Sequence, residues 1–470
     1  MNIGLFGIGL EEYWNQFSGL QERLTNNLLY IQQRLEKTHP RVLNLGLVDN
    51  TDKAFEAGAR LRTGDVDLIF IYVSTYALSS TVMTVLRNHR APVVLLNLSP
   101  GNAINYDAFN KMNDTTQMTG EWLAYCSACP VPELANVFKR TGVRFHQVTG
   151  VLQNDDCWEE IGDWVAAAKV AHTMNYNRLG CMGHYYSGMM DIYSDLTLQY
   201  KYFGGHMELL EVDELSALRR EVTGKQTEDR IKEFYREFDM QPNCDPEEIR
   251  KAAVTSVALD VLTARYKLGS MAYYYKGTGI PENKETIATI IVGNSLLTSK
   301  GIPVAGEYEI KNAQAMKIMD SFGCGGSFSE YYAVDYNDDV VLLGHDGPAH
   351  IRIAEGKIKV KPLGVYHGKV GNGLSVEMSV KQGPVTLLSI VENDRNELFF
   401  LVAEAESVAG PILEIGNTNS RYRFSCGAKE FINRWNSHGP AHHCAIGTGH
   451  MYQKLEKLAH LLNMNIVKVC

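Results

Sequence analysis

Short apolar runs alternate with longer amphipathic stretches over the first third of this 470-residue chain. "NIGLFGIG", "RVLNLGLV", "VDLIFIYV" and "PVVLLNLS" are rich in Val, Ile and Leu without strict alternation. Between them lie stretches of helical period: a long one ending near Lys37, then "DKAFEAGARLR" and "LSSTVMTVLRNH". Such runs are predicted to be strands of a parallel sheet, buried on both faces. After the helical "CWEEIGDWVAAAKVAHTM" the cycle repeats with "RLGCMG", "HMELLEV", "MAYYY" and "TIATIIVG", around charged helices near Lys225 to Phe238 and Asp245 to Leu268. Beyond residue 323 the period becomes two, in "VVLLGH", "HIRIAEGKIKVKPL", "LSVEMSV", "PVTLLSIV" and "ELFFLVAEAE". That alternation predicts an antiparallel sheet or small barrel, followed by the helix "MYQKLEKLAHLL". The expected fold class is α/β, with open Rossmann-like domains at residues 1–172 and 173–322 and a β-rich, barrel-like domain at 323–470. The length suits two or three hydrophobic cores.

Open parallel sheets bind ligands beyond the carboxyl ends of their strands. The loops near Gly7 and Gly9, and near His184 and Tyr185, are therefore expected on the ligand side, and His184 is a candidate for substrate contact. A net charge of −9 argues against a protein that grips phosphate backbones, so no nucleic-acid partner is expected. The N-terminus lacks a basic segment and no apolar run reaches membrane-spanning length, which leaves no membrane role. Nine scattered cysteines fit a reducing compartment, and a cytoplasmic location is expected.

Several short motifs can be set aside. "CSAC" (Cys126, Cys129) has no second CxxC to complete a zinc site and reads as two small residues on a helix. "GIGLEE" carries Glu12 where a dinucleotide fingerprint has its third glycine, and "GCGGSF" lacks the lysine of a phosphate-binding loop. His367, His450 and His460 read as incidental, and His438 as structural or as support for a neighbouring group.

Other residues gather chemistry. Glu307 follows "GIPVAG" and opens the helix "YEIKNAQAMKIM", where the helix dipole favours an acid. Glu330 lies in "CGGSFSEYY", and among Phe328, Tyr331 and Tyr332 it needs a proton, a cation or several donors to offset its desolvation. His345 ends an apolar run in "LLGHDGPAH", and "NSHGPAHHCAIG" places three imidazoles among small residues. Two glutamates and two histidines brought together would form an N/O site suited to a divalent ion such as Mn²⁺.

These segments resemble the L-arabinose isomerase family and, more loosely, the L-fucose isomerase superfamily. "AGEYEIKNAQAMKIM" is similar to that family's helix-opening Ala-Gly-Glu motif, and "SFSEYY" to its Ser-Phe-x-Glu-x-Tyr motif. "LLGH" is similar to its strand-end histidine, and "AHHC" to its His-His pair. The resemblance implies metal ligands at Glu307, Glu330, His345 and His443, with the two glutamates also as catalytic acid and base. It implies that His442 orients the loop and meets substrate, and that Tyr332 lines a sugar pocket. Choosing His345 over His350 requires a small deletion after Glu330. "GIGLEEYW" lacks the family's substrate-binding glutamine, Tyr331 replaces an acid, and Pro440 precedes the pair, so the member is divergent and its sugar is open.

The expected function is a divalent-metal-dependent aldose–ketose isomerase acting on a free pentose such as L-arabinose/L-ribulose, or a related hexose, through an enediol. The resemblance also implies a homo-oligomer, a trimer or hexamer. The alternatives are a metal-dependent epimerase or lyase using the same enediolate chemistry, and a non-catalytic sugar-binding protein.

Overall fold

The structure is a computed structural model that describes every residue except Pro40, Gly277, Thr278, His367, Gly368 and Gly371. His367 therefore lies outside the described residues. The chain divides into two compact units, Met1–His172 and Thr173–Cys470.

The first unit is built on five parallel strands in the order Val42–Val48, Ile3–Ile8, Leu68–Tyr72, Val93–Ser99, Phe145–Val151. Ile3–Ile8 and Leu68–Tyr72 are buried throughout, as strands covered by helices on both faces must be. The edge strand Phe145–Val151 ("FHQVTGV") is half-exposed and too polar to stand out as an apolar run. In "GIGLEE", a Cβ on Gly9 would meet the Trp14 ring at 2.7 Å, and Trp14 Nε1 donates to Asp49. That glycine makes room for a tryptophan. Cys126 and Cys129 do not sit on a helix as the sequence suggested: the helix Thr115–Tyr125 ends at Cys126, and both thiols lie in the turn that follows.

The second unit opens with a four-stranded parallel sheet ordered Val304–Ala305, Ser270–Tyr274, Arg178–Gly183, His206–Leu210. One expected strand is absent. "TIATIIVG" belongs to the helices Pro281–Ala288 and Ile291–Ser299, and Ile291 to Thr298 are buried on every side. A helix apolar all round carries no period to distinguish it from a buried strand. The strand that completes this sheet, Val304–Ala305, is only two residues long.

From Gly325 onward six antiparallel strands close on themselves. Their order is Gly383–Glu392, His443–Thr448, Gly325–Asp335, Val340–His345, Thr418–Phe424, Leu398–Val408, and the last pairs back with the first. Asn465–Lys468 adds in parallel to Leu398–Val408 after the helix Tyr452–Leu462. Closure removes free strand edges. One hydrophobic core runs from the helices that cover the parallel sheet into the barrel, so the two layers share their packing. Among the described residues, no helix is long and apolar enough to cross a membrane.

Candidate active site

Glu307 leaves the carboxyl end of Val304–Ala305 on a tight turn. The Glu309 N–H donates to the Gly306 carbonyl at 2.9 Å, and both central residues, Glu307 (φ +55°) and Tyr308 (φ +62°), are left-handed. Non-glycine residues in that region cost on the order of 1–3 kcal/mol each, and such strain concentrates at functional sites. The helix expected to open at Glu307 begins at Ile310, with Glu309 as its N-cap. The turn thus carries two carboxylates, and both are buried, Glu307 at 8% and Glu309 at 0% exposure.

The barrel supplies the other groups. Glu330 pairs in register with Gly344 on one side and His443 on the other. A Cβ on Gly344 would lie 1.7 Å from the Thr418 carbonyl oxygen, so only glycine lets these strands close and carry His345 inward. Thr418 then fixes the strand end, accepting from the His345 N–H and donating to its carbonyl. Phe328, two residues before Glu330, wedges its ring between His345 and His443, with centroids at 4.3 and 4.4 Å. Tyr331 lies against Phe431, on the alternate face of the strand, and does not surround Glu330 as its sequence neighbourhood suggested.

The side chains converge. His443 Nε2 is 3.4 Å and His442 Nε2 3.5 Å from Glu307 Oε2, His345 Nε2 is 4.0 Å from Glu307 Oε1, and His442 Nε2 is 3.9 Å from Glu330 Oε2. Two triads, Glu307–His442–His443 and Glu330–His345–His443, each offer ligand atoms within 4.8 Å of one another. Each imidazole also has a carboxylate on its other nitrogen: Glu309 Oε2 at 3.3 Å from His443 Nδ1, Asp346 Oδ1 at 3.0 Å from His345 Nδ1, and Asp191 Oδ2 at 2.6 Å from His442 Nδ1.

The charges follow from these contacts. Burial and the neighbouring His345, His442 and Lys311 push His443 well below the usual histidine range, so it is neutral. Burial would also lower His442, but hydrogen bonds to Glu307 and Asp191 outweigh it and lift the ring to about 9. His345 is raised because Asp346, Glu330 and Glu307 overcome its burial. Burial raises Glu330, helped by Glu307 and Asp346 and opposed by His345 and His442. Glu309 is raised by burial to about 7, against the pull of Lys311 and His442.

These facts test whether a cation fits. With its proton on Nδ1 toward Glu309, neutral His443 presents a bare Nε2 to Glu307 Oε2; both atoms are buried, Nε2 has no hydrogen-bond donor, and Oε2 is met by the His442 ring at 3.5 Å. Two acceptors facing each other at this distance repel in a low-dielectric pocket, and a divalent ion between them removes the conflict. The donor set of imidazole and carboxylate suits Mn²⁺ or a similar ion.

Of the other residues singled out from the sequence, Tyr332 sits at the margin, its hydroxyl accepting from Asn417 Nδ2 at 3.2 Å, and burial, with Asp346 and Glu330 adding to it, raises that hydroxyl. His184 is exposed on the rim: its N–H donates to the Tyr274 carbonyl and its ring meets the Tyr274 ring edge-on at 5.4 Å. His350 is not in the cluster. It is fully buried elsewhere, with Nε2 3.8 Å from Asp320. His438 caps the helix Ala428–Ser437 in solvent, His450 approaches Glu406, and His460 is exposed on the helix Tyr452–Leu462. Sequence reading missed Glu309, Asp191 and Asp346. The signal for Glu309 was its place two residues after Glu307 at a helix start, and for Asp346 its adjacency to His345. Asp191, in the short 3₁₀ turn Met190–Ile192, had none.

A parallel α/β sheet followed by a closed six-stranded barrel, with a buried Glu/His cluster where the sheet's last strand leads toward the barrel, defines an α/β-plus-barrel protein with a candidate divalent-metal site. Residues 325–465 match the family described as L-arabinose isomerase C-terminal domain. The chain is also 23% identical over 354 residues to an L-arabinose isomerase of Nocardioides sp. (strain ATCC BAA-499 / JS614), covering 72% of this chain and 68% of that protein. Together these findings support a divergent member of the arabinose isomerase family.

Proposed function

We propose that the protein is a divalent-metal-dependent aldose–ketose isomerase acting on a free sugar, an L-arabinose/L-ribulose-like pentose or a related hexose. The observation that carries this reading is the buried pair of Glu307 Oε2 and His443 Nε2, two facing acceptors with no hydrogen between them, with Glu330 and His345 completing the set. A divalent ion held by Glu307, Glu330, His345 and His443 would act as a Lewis acid toward the sugar's carbonyl and hydroxyl oxygens.

The chain's own residues carry the protons. Interconversion removes the C2 proton of the aldose, passes through an enediol and returns a proton to C1, while one proton moves from the C2 hydroxyl to the C1 oxygen. Glu307 and Glu330 are the acid–base pair. Glu330, held on the barrel strand facing His345 and His442, and Glu307, aimed by its strained turn, are the two carboxylates that would trade the proton. His442, cationic at neutral pH and braced by Asp191, is placed to donate to a substrate oxygen, and Tyr332 and His184 border the sugar. The expected setting is a cytoplasmic homo-oligomer, a trimer or hexamer.

Product analysis tests the reading. Incubating the Mn²⁺-loaded protein with a panel of aldoses and following the mixture by ¹³C NMR should show a ketose with the carbon skeleton and the C3 and C4 configuration retained. An inverted aldose would indicate an epimerase, and a shortened chain a lyase. An unchanged panel with measurable sugar binding would leave a non-catalytic sugar-binding protein.

A further inference from the structure

We infer that Glu309 is a positioning residue for this site, holding the Nδ1–H of His443 so that the Nε2 lone pair stays turned toward Glu307 and Glu330. The inference rests on the metal reading above and deepens it.

The turn grips one imidazole from both ends. Glu307 Oε2 stands 3.4 Å from His443 Nε2 and Glu309 Oε2 3.3 Å from His443 Nδ1. Both the His443 and the Glu309 side chains are fully buried, so no solvent competes for either nitrogen. The faces of the ring are held as well, by Phe328 at 4.4 Å and His442 at 3.9 Å between centroids. What remains free is the tautomer. A neutral imidazole carries one N–H. On Nε2 it would set a bare Nδ1 against the Glu309 carboxylate; on Nδ1 it satisfies Glu309 and leaves Nε2 as a donor to a cation. A carboxylate that fixes the orientation and basicity of a ligating histidine is typically worth about 10–100-fold in metal affinity.

Besides His443, Glu309 faces the Asn312 backbone N–H at the start of its own helix. Its Oε1 has no hydrogen-bond partner, and neighbouring Lys311 is turned to the carbonyls of Asp191 and Tyr193. Capping a helix start does not require a fully buried carboxylate, whereas holding the His443 Nδ1–H does place one there.

The test uses the full chain with ¹⁵N-labelled histidine, and compares wild type with Glu309→Leu, which fills the buried space without an acceptor, and Glu309→Gln, which retains one. Long-range ¹H–¹⁵N spectra of the metal-free protein, assigned with His443→Ala, read the tautomer directly. Mn²⁺ titration followed by calorimetry reads affinity. We expect Nδ1–H in wild type, a shift toward Nε2–H in Glu309→Leu with a dissociation constant about 10–100-fold higher at unchanged stoichiometry, and partial recovery in Glu309→Gln. Glu309→Ala is read in the same way should the leucine variant not fold. A wild-type tautomer together with Mn²⁺ affinity within twofold of wild type in the Leu or Ala variant overturns the inference. Absence of Mn²⁺ binding by wild type would instead overturn the metal reading, while the tautomer comparison still decides what Glu309 does.

Discussion

Phe328 is the side chain on which the two buried histidines lean, and its truncation should damage fold and site together. The ring is completely buried, lies 4.3 Å from His345 and 4.4 Å from His443 between centroids, and fills the space that Gly306 leaves open. Phe→Ala at a closed core site costs about 3–5 kcal/mol, the lost transfer energy plus the cavity. The unit Thr173–Cys470 has an unfolding entropy of roughly 0.6 kcal/mol/K at the usual value per residue, so the melting temperature should fall by about 5–8 °C. Phe328→Leu retains much of the volume and should lose roughly half as much. Differential scanning calorimetry of the metal-free protein at fixed scan rate measures the fold, and Mn²⁺ titration measures the site, where we expect a loss of at least about tenfold in affinity because both rings gain freedom. A drop of less than about 2 °C with unchanged Mn²⁺ affinity would refute the reasoning, since the ring would then be supporting neither histidine.

Three further outcomes are expected. Gly344→Ala forces a methyl to within 1.7 Å of the Thr418 carbonyl oxygen, so it should separate the strands, lower the melting temperature and weaken Mn²⁺ binding; a variant matching wild type in both would show that the barrel yields easily there. His350→Ala should lower stability through loss of a buried side chain and leave Mn²⁺ stoichiometry and affinity unchanged, and a loss of metal would mean that the ligand set is misassigned. Burial would raise the Glu377 carboxyl, but Lys361 and Lys359 outweigh it and lower it below the carboxylate's ordinary 4.5. Its stabilisation is therefore present above that value and lost as pH falls through the folded value, so Glu377→Gln should destabilise near pH 7, with the gap to wild type closing in acid. Denaturant unfolding at a series of pH values checks this, and a gap that widens below pH 4 would reverse the sign.

Much of the architecture is written in local patterns, and the exceptions have physical causes. Runs such as "VDLIFIYV" and "PVVLLNLS" became fully covered parallel strands because burial on both faces demands continuous apolar sequence. Of the period-two segments after residue 323, "VVLLGH", "PVTLLSIV" and "ELFFLVAEAE" became barrel strands with one face inward, whereas Lys359–Pro362 and Leu374–Glu377, from "HIRIAEGKIKVKPL" and "LSVEMSV", pair in a separate small sheet with Asp239–Met240. "TIATIIVG" misled because a helix buried all round shows neither period, and "FHQVTGV" was missed because an edge strand can be polar. At the site, the sequence advertised Glu307, Glu330, His345 and the His442–His443 pair through their glycine-flanked or strand-end settings, and the structure brings those five together. It did not advertise Asp191, whose value depends on a loop lying beside His442, a contact between distant parts of the chain that no local pattern encodes. Closure of the barrel, through pairing of His443–Thr448 with both Gly383–Glu392 and Gly325–Asp335, is likewise non-local.

The central claim is that Glu307 and Glu330 exchange protons with a sugar, and the most direct measurement is single-turnover ketose formation by wild type, Glu307→Gln and Glu330→Gln at saturating Mn²⁺ with the aldose that wild type converts best. Each glutamine keeps the size and one ligating oxygen and removes the exchangeable proton. The account predicts a fall of at least about 10²-fold in each variant, with sugar dissociation constants changed far less. Near-wild-type turnover in both variants would contradict it and place the proton transfer on other residues.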